Sequence, residues 1–203
     1  MGGTGDFGLA LAQRLAEAGV EVVIGSRDAD RAAEKAREAG AAAGAANEDA
    51  VQGVDLVVLA TKADAALPTA ESLAAAIGST PVLSVASELR FTKQGVFPSE
   101  DARSVAERAQ ELLAGPVVAG LHSLAASTLA HSPADGDAFV CGDDEDAKAL
   151  ALELAGHVVS GRALDAGPLA SARALEGMTA VIVNLNKRYK GHAGVRVTGL
   201  PSS

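Results

Sequence analysis

A doubly wound α/β fold is what three features of the sequence predict. Short β-branched runs alternate with alanine-rich amphipathic stretches, the pattern of βαβ units around a mainly parallel sheet. A glycine-rich string at 3–8 opens directly into the first of those stretches. Alanine fills 45 of the 203 positions, a side chain small enough for helices packed closely on a sheet.

The strand-like runs fall at 20–24, 55–60, 81–85, 116–120 and 138–141. Their almost continuous apolar character suits strands covered on both faces. The first helix puts Gly8, Leu11, Ala12 and Leu15 on one face and Gln13, Arg14 and Glu17 on the other, with Gly19 as its stop. A second helix is expected over 28–39, with Asp28 as N-cap and Gly40 beyond its end. Further helices are expected near 64–77, 102–114 and 144–155. The stretch 169–189 reads as one long final helix. Its apolar surface (Leu175, Met178, Val181, Ile182, Leu185) is broad enough to predict full burial, on the sheet or on a second copy of the chain.

Composition narrows the function classes. A content of 48% hydrophobic and 21% charged residues is that of a folded domain. The net charge of −9 and the scarcity of aromatics argue against nucleic acid, which needs a basic face or stacking platforms. No run is long enough to span a membrane, and the amino end lacks a secretory pattern, so a cytoplasmic location is expected. The single cysteine, Cys141, has no disulfide partner within the chain, and no metal-ligand set is legible.

One strand is conspicuous. The first strand of such a fold runs straight into its glycine loop. Here that loop begins at residue 2, so the expectation is of a start several residues late and of two strands with unpaired edges.

Gly3-Thr4-Gly5-Asp6-Phe7-Gly8 matches the G-x-G-x-x-G dinucleotide loop of Rossmann-type sheets. Gly3 is expected to make the tight turn, Gly5 to let backbone approach a diphosphate, and Gly8 to let the helix pack close to the strand. The helix N-terminus supplies free N–H groups to the anion. Asp6, uncomfortable beside a diphosphate, is expected to cap that helix instead. After the 20–24 run, an NAD enzyme would carry an acidic residue for the ribose 2′-hydroxyl. This chain has Ser26, Arg27 and, one turn on, Arg31, which suit a 2′-phosphate, so NADP is the expected cofactor. Thr61 follows the 55–60 run on the edge where ligands sit. It either touches the ribose or nicotinamide side or ends the strand and caps the next helix. Among the histidines, His157 reads as structural and His131 and His192 as loop residues. His122, just beyond the 116–120 run, is the one placed where a ring contact is expected.

Further strings occur in order across nearly the whole chain. They are Gly2-Gly3-Thr4-Gly5, Gly25-Ser26-Arg27, Asn47-Glu48-Asp49-Ala50, Leu121-His122-Ser123, Cys141-Gly142-Asp143-Asp144 and Leu164-Asp165-Ala166-Gly167-Pro168-Leu169. Together they resemble the NADPH-dependent reductases of the deazaflavin coenzyme F-420 (F420), and the last two strings are the most particular. The resemblance implies a Rossmann-type domain at 1–125 and a small C-terminal lobe at 126–203, with the deazaflavin laid over the nicotinamide in the cleft between them. It implies hydride transfer between the two rings, with no obligatory catalytic acid or base. Thr4, Gly5, Asp6, Phe7, Ser26, Arg27, Arg31 and Ala126 fall at positions such enzymes use for NADP, and His122 at the histidine beside the paired rings. Prolines of the relatives are replaced in Ser84-Val85-Ala86-Ser87-Glu88-Leu89 and Ser123-Leu124-Ala125-Ala126. Arg90 and Lys93 are the basic residues nearest to hand for the anionic coenzyme tail. A homodimer through the final helix is expected. The other readings are a reductase of a flavin or imine acceptor and an NADP-binding sensor without catalysis.

Overall fold

The computed structural model describes residues 1–201. From Gly5, the chain enters α1 (Asp6–Glu17), whose buried Leu11 and Leu15 face the sheet. β1 (Val23–Ser26) and α2 (Ala29–Ala39) follow, the helix capped by Asp28 and stopped by Gly40 in the left-handed region. β2 (Ala43–Ala46) then pairs parallel with β1. No β-branched run announces this strand. A Cβ on Gly44 would lie 2.2 Å from the Ala32 carbonyl oxygen, so small residues are what let α2 lie against the strand.

The short α3 (Asn47–Ala50) leads to β3 (Val57–Leu59), α4 (Ala63–Ile77) and β4 (Val82–Ser84). A hairpin absent from the sequence reading comes next, β5 (Leu89–Thr92) against β6 (Gly95–Pro98). α5 is confined to Val105–Gln110, shorter than expected, and opens on a Ser104–Glu107 capping box. β7 (Val117–Gly120), α6 (Ala126–Leu129), β8 (Ala138–Gly142), α7 (Glu145–Val158) and β9 (Ala163–Asp165) follow. A 3-10 turn at Leu169–Ser171 then enters α8 (Ala172–Tyr189).

β3, β4, β7, β8 and β9 form one sheet in that order, parallel except where β8 runs against β7. β1 and β2 stand as a separate pair. The fold is Rossmann-like and mostly parallel, and in open sheets of this kind ligands sit at the carboxyl edge. The segment from Met1 lies against β3, in the place where such a sheet carries its first strand. The Met1 ammonium donates to the Val58 carbonyl at 2.9 Å, and the Ala60 N–H donates to the Met1 carbonyl at 3.0 Å.

The final helix is covered within the chain on one face alone. It buries Leu175, Ala180 and Ile182, yet Val181 is 58% exposed and Tyr189 72% exposed. His157, read as structural, is exposed near the end of α7.

α8 also carries a carboxylate into the core. Glu176 is 2% exposed, and its Oε1 accepts the Val105 N–H at the start of α5 at 2.7 Å. Burial pushes its pKa up from 4.5 to about 7, against the opposing pull of the N–H groups and Arg108. The folded state therefore holds this proton where the unfolded chain releases it. The associated stability is complete below pH 4.5 and is lost as pH rises through about 7. In urea unfolding at pH 5 and pH 8, Glu176→Gln is expected to gain on the parent by up to about 3 kcal/mol between the two. Identical pH slopes in both proteins would contradict this.

Candidate functional site

The glycine string forms a loop pressed against the carboxyl end of β3. Gly2 adopts φ +71°, and a Cβ there would lie 2.8 Å from Ala60 backbone, so the left-handed turn belongs to Gly2 and not, as expected, to Gly3. Gly3 is buried against Ile24 of β1. A Cβ on Gly8 would meet the Gly2 carbonyl oxygen at 2.6 Å and the Gly3 Cα at 2.8 Å. Gly8 thus holds α1 tight to the loop itself, and not to a strand. Gly5 is exposed, its N–H donating to Gly2 at 3.1 Å and its carbonyl accepting the first helical bond from Leu9 at 2.8 Å. The N–H groups of Asp6, Phe7 and Gly8 lie ahead of that bond, and no side chain caps them.

Asp6 therefore does not serve as the cap expected of it. It is the first residue of α1 and is exposed, while Gly5 occupies the N-cap position. The consequence is favourable for an anion: a twelve-residue helix presents its free N–H groups and positive dipole end behind a loop with no side-chain bulk at Gly5. Thr4 and Phe7 are half-buried, and the Phe7 ring packs onto the core that contains Leu11 and Leu15.

Ser26 ends β1 at 9% exposure, and its Oγ accepts the Asp28 N–H at 3.3 Å. Asp28, exposed, caps α2 by accepting the Arg31 N–H at 3.1 Å. Arg27 and Arg31 are both exposed, and neither is in an ion pair among the described residues. Two uncommitted guanidiniums beside a hydroxyl are a fitting seat for a phosphate monoester.

Three buried polar atoms without a partner follow neighbouring strands at their carboxyl ends: Thr61 Oγ1 after β3, Ser84 Oγ on β4 and His122 Nδ1 after β7. Thr61 does not cap α4, whose N-cap is Lys62. Ser84 is fully buried and carried no signal in the sequence beyond a missing proline. Buried polar groups normally find hydrogen-bond partners, so three orphans on one edge mark where a polar ligand would complete them. The donor set and the open helix terminus fit a dinucleotide phosphate. Among the described residues, no group of three His, Cys, Asp or Glu side chains is arranged to hold a metal.

His122 is 5% exposed, and burial pushes its pKa down to about 4, so the ring is neutral at pH 7. Its Nε2 lies 3.3 Å from the Ala86 carbonyl oxygen, which makes Nε2 the protonated nitrogen and leaves Nδ1 a bare acceptor. Its backbone is fixed by a chain no sequence spacing discloses. Thr179 of α8 donates to the His122 carbonyl at 2.9 Å, and Ser87 lies 2.8 Å from the same Thr179 hydroxyl. A hydroxyl has one proton, so Ser87 donates and Thr179 passes its own to His122. Leu121, just before it, is held at φ +64°, a strained setting for a side chain of that size. Ala126 is half-buried at the start of α6, which packs against α1. Arg90 already faces Glu100 at 3.3 Å and lies over the Phe97 ring, while Lys93 is exposed in the hairpin turn.

Comparison with known proteins places the chain in a family. The family model described as NADP oxidoreductase, coenzyme F420-dependent, matches residues 1–88. The F420-dependent NADP reductase of Methanothermobacter thermautotrophicus is 35% identical over 99% of this chain and 94% of its own length. The chain belongs to this family. A second F420-dependent NADP reductase, from Methanocaldococcus jannaschii, is 34% identical over 98% of this chain and 97% of its own. Among solved structures, an Arthrobacter protein assigned to the F420-dependent NADP reductases superposes with TM-score 0.80 over 98% of this chain and 96% of its own. At 24% identity, that likeness speaks for the fold alone.

Proposed function

We propose that this member of the F420-dependent NADP reductases holds NADP along the α1 loop and β1 edge and faces its nicotinamide toward a deazaflavin seated beside His122. The chain is an oxidoreductase with NADP and coenzyme F420 as its substrates. The observation that carries this is the 35% identity running over 99% of the chain. When both are bound, hydride passes between C4 of the nicotinamide and C5 of the deazaflavin.

The chain's own work is positioning. Free N–H groups of Asp6, Phe7 and Gly8 hold the diphosphate, with Gly3, Thr4 and Gly5 shaping its loop. Ser26, Arg27 and Arg31 hold the 2′-phosphate. Thr61 Oγ1 and Ala126 border the ribose and nicotinamide side. His122, neutral and pinned through Thr179, lies against the paired rings and offers Nδ1 as an acceptor. Residues 1–125 carry NADP, and 126–203 complete the deazaflavin side. Alignment of two rings in a site closed to water is sufficient for this chemistry, which explains why no acid–base pair is needed.

Mixing the protein with NADPH and oxidised F420 is expected to consume both in equal amounts. Preferential consumption of NADPH with a flavin or a cyclic imine would overturn the acceptor assignment. Normal NADPH binding without transfer to any acceptor would make the chain a sensor.

The same reading includes a homodimer in the cytoplasm, without nucleic-acid partners. Val181, Leu185 and Tyr189 recur at four-residue intervals along α8 and are exposed, and Phe91 and Phe97 are exposed on the hairpin that packs against α8. Large apolar side chains repeated along an exposed helix face suit an interface between copies of the chain. Val181→Asp with Leu185→Asp is expected to convert a dimer to a monomer in analytical ultracentrifugation. A monomeric parent, or an unchanged dimer, would refute this interface.

A further inference from the structure

We propose that Asp137 is a positioning residue for the hydride transfer, clipping the segment 192–197 across the loop that carries His122; the inference rests on the function proposed above. Asp137 stands just ahead of β8 and is a carboxylate only 2% exposed. A charge so buried is costly unless hydrogen bonds meet it, and three donors do. The Arg162 N–H reaches Oδ1 at 2.9 Å, while the Arg162 guanidinium at 3.1 Å and the Val197 N–H at 2.8 Å share Oδ2. The Asp137 N–H donates to the Val195 carbonyl, and the same guanidinium donates to the Val197 carbonyl. One aspartate and one arginine thus hold the backbone of residues 195–197 through N–H and C=O groups alike. Glycines permit the close approach. A Cβ on Gly194 would lie 2.1 Å from the Asp135 carbonyl oxygen, and one on Gly136 2.7 Å from that of Val195.

The clipped segment lies across the loop between β7 and α6. A cavity of ≈ 40 Å³ separates the two, with Ser123, Leu124 and Ala125 on one side and His192, Ala193 and Gly194 on the other. His192 Nδ1 lies 3.2 Å from the Ser127 hydroxyl. Ser123, next to His122 and 3% exposed, donates to the Asp137 carbonyl at 3.1 Å. With Thr179 on the His122 carbonyl, the loop is tied at three points, and two of them depend on Asp137 or on the segment it clips. His122 adjoins the Ser123 tie, and Ala126 lies between the ties at Ser123 and Ser127. Release of the clip therefore moves both residues that border the rings, and a misplacement of about 1 Å costs on the order of a hundredfold in rate. The residues proposed to hold the phosphates of NADP, in the α1 loop and at Arg27 and Arg31, belong to other elements and are spared.

Asp137→Asn puts an amide donor where N–H groups now point, without opening a cavity. With NADPH and oxidised F420 as substrates, it is expected to lose about ten- to a hundredfold in kcat while the Kd for NADPH stays within a few-fold. Amide exchange at Val197, followed by mass spectrometry, should quicken by about tenfold or more. Gly194→Ala reaches the same end without touching the carboxylate, since relief of its clash with the Asp135 backbone requires the segment to lift. It tests the proposal even where Asp137→Asn fails to fold, and the double variant is expected to be no slower than the slower single one. Gly191→Ala, whose Cβ would meet nothing within 4 Å, is the control and should match the parent. An unchanged kcat in Gly194→Ala, an equal loss of NADPH binding, or losses that multiply in the double variant would each overturn the proposal. A parent that passes no hydride to F420 would overturn the functional reading and this inference together; an active parent with unaffected variants overturns this inference alone.

Discussion

Replacing Arg27 and Arg31 together by glutamate is expected to raise the Kd for NADP by about a thousandfold while leaving that for NAD within a few-fold. The two cofactors differ only at the ribose 2′-position, so the comparison isolates that phosphate. Each charge-assisted contact is worth about 1.5–3 kcal/mol, or roughly ten- to a hundredfold in affinity. Losses at neighbouring sites do not add fully, which sets the combined figure below the product of two hundredfold losses. The geometry favours a clean result. Both guanidiniums are exposed and uncommitted, so neither replacement leaves a buried partner stranded. Asp28 keeps its own hydrogen bond to the Arg31 N–H, which the side-chain change does not touch. Fluorescence titration with both cofactors checks the result. Equal losses for NADP and NAD would show that the arginines act on something other than the 2′-phosphate.

Gly8→Ala should be the second large effect, a loss of about a hundredfold or more in NADP affinity in a chain that remains folded. The added methyl would fall 2.6 Å from the Gly2 carbonyl oxygen and 2.8 Å from the Gly3 Cα. Both are backbone atoms, so relief requires the whole loop to shift away from α1, carrying Gly5 with it. Alanine's better helix propensity, about 1 kcal/mol, offsets part of the strain and keeps the helix formed. Gly156→Ala in α7 is the control, since a Cβ there meets nothing within 4 Å. It should leave NADP binding unchanged. A Gly8→Ala protein that binds NADP as tightly as its parent would remove the loop from the cofactor site.

What was legible in advance follows from how locally each feature is encoded. The glycine string ahead of α1, the Asp28 cap and the Gly40 stop each depend on a few adjacent residues and stand where they were expected, although the left-handed turn falls at Gly2 and not at Gly3. β2 was invisible because its four small residues answer to α2 lying on top of them, a contact that leaves no periodic trace. The hairpin β5–β6 was missed for a related reason. Asn184 of α8, 88 residues on, clamps Val96 through both its N–H and its carbonyl. Asp6 misled because a carboxylate next to a helix start is a plausible cap. Only the backbone shows Gly5 in that position, with Asp6 already inside the helix.

Residue order alone made the mostly parallel α/β architecture, the glycine loop ahead of α1 and the expectation of NADP legible, since these rest on patterns within single turns and strands. Tertiary structure alone decided that His122 is neutral and pinned by Thr179, and that Ser84 and Thr61 are left with unpaired hydroxyls. Those properties arise from burial and from partners tens of residues away, which only the folded chain brings within hydrogen-bonding distance.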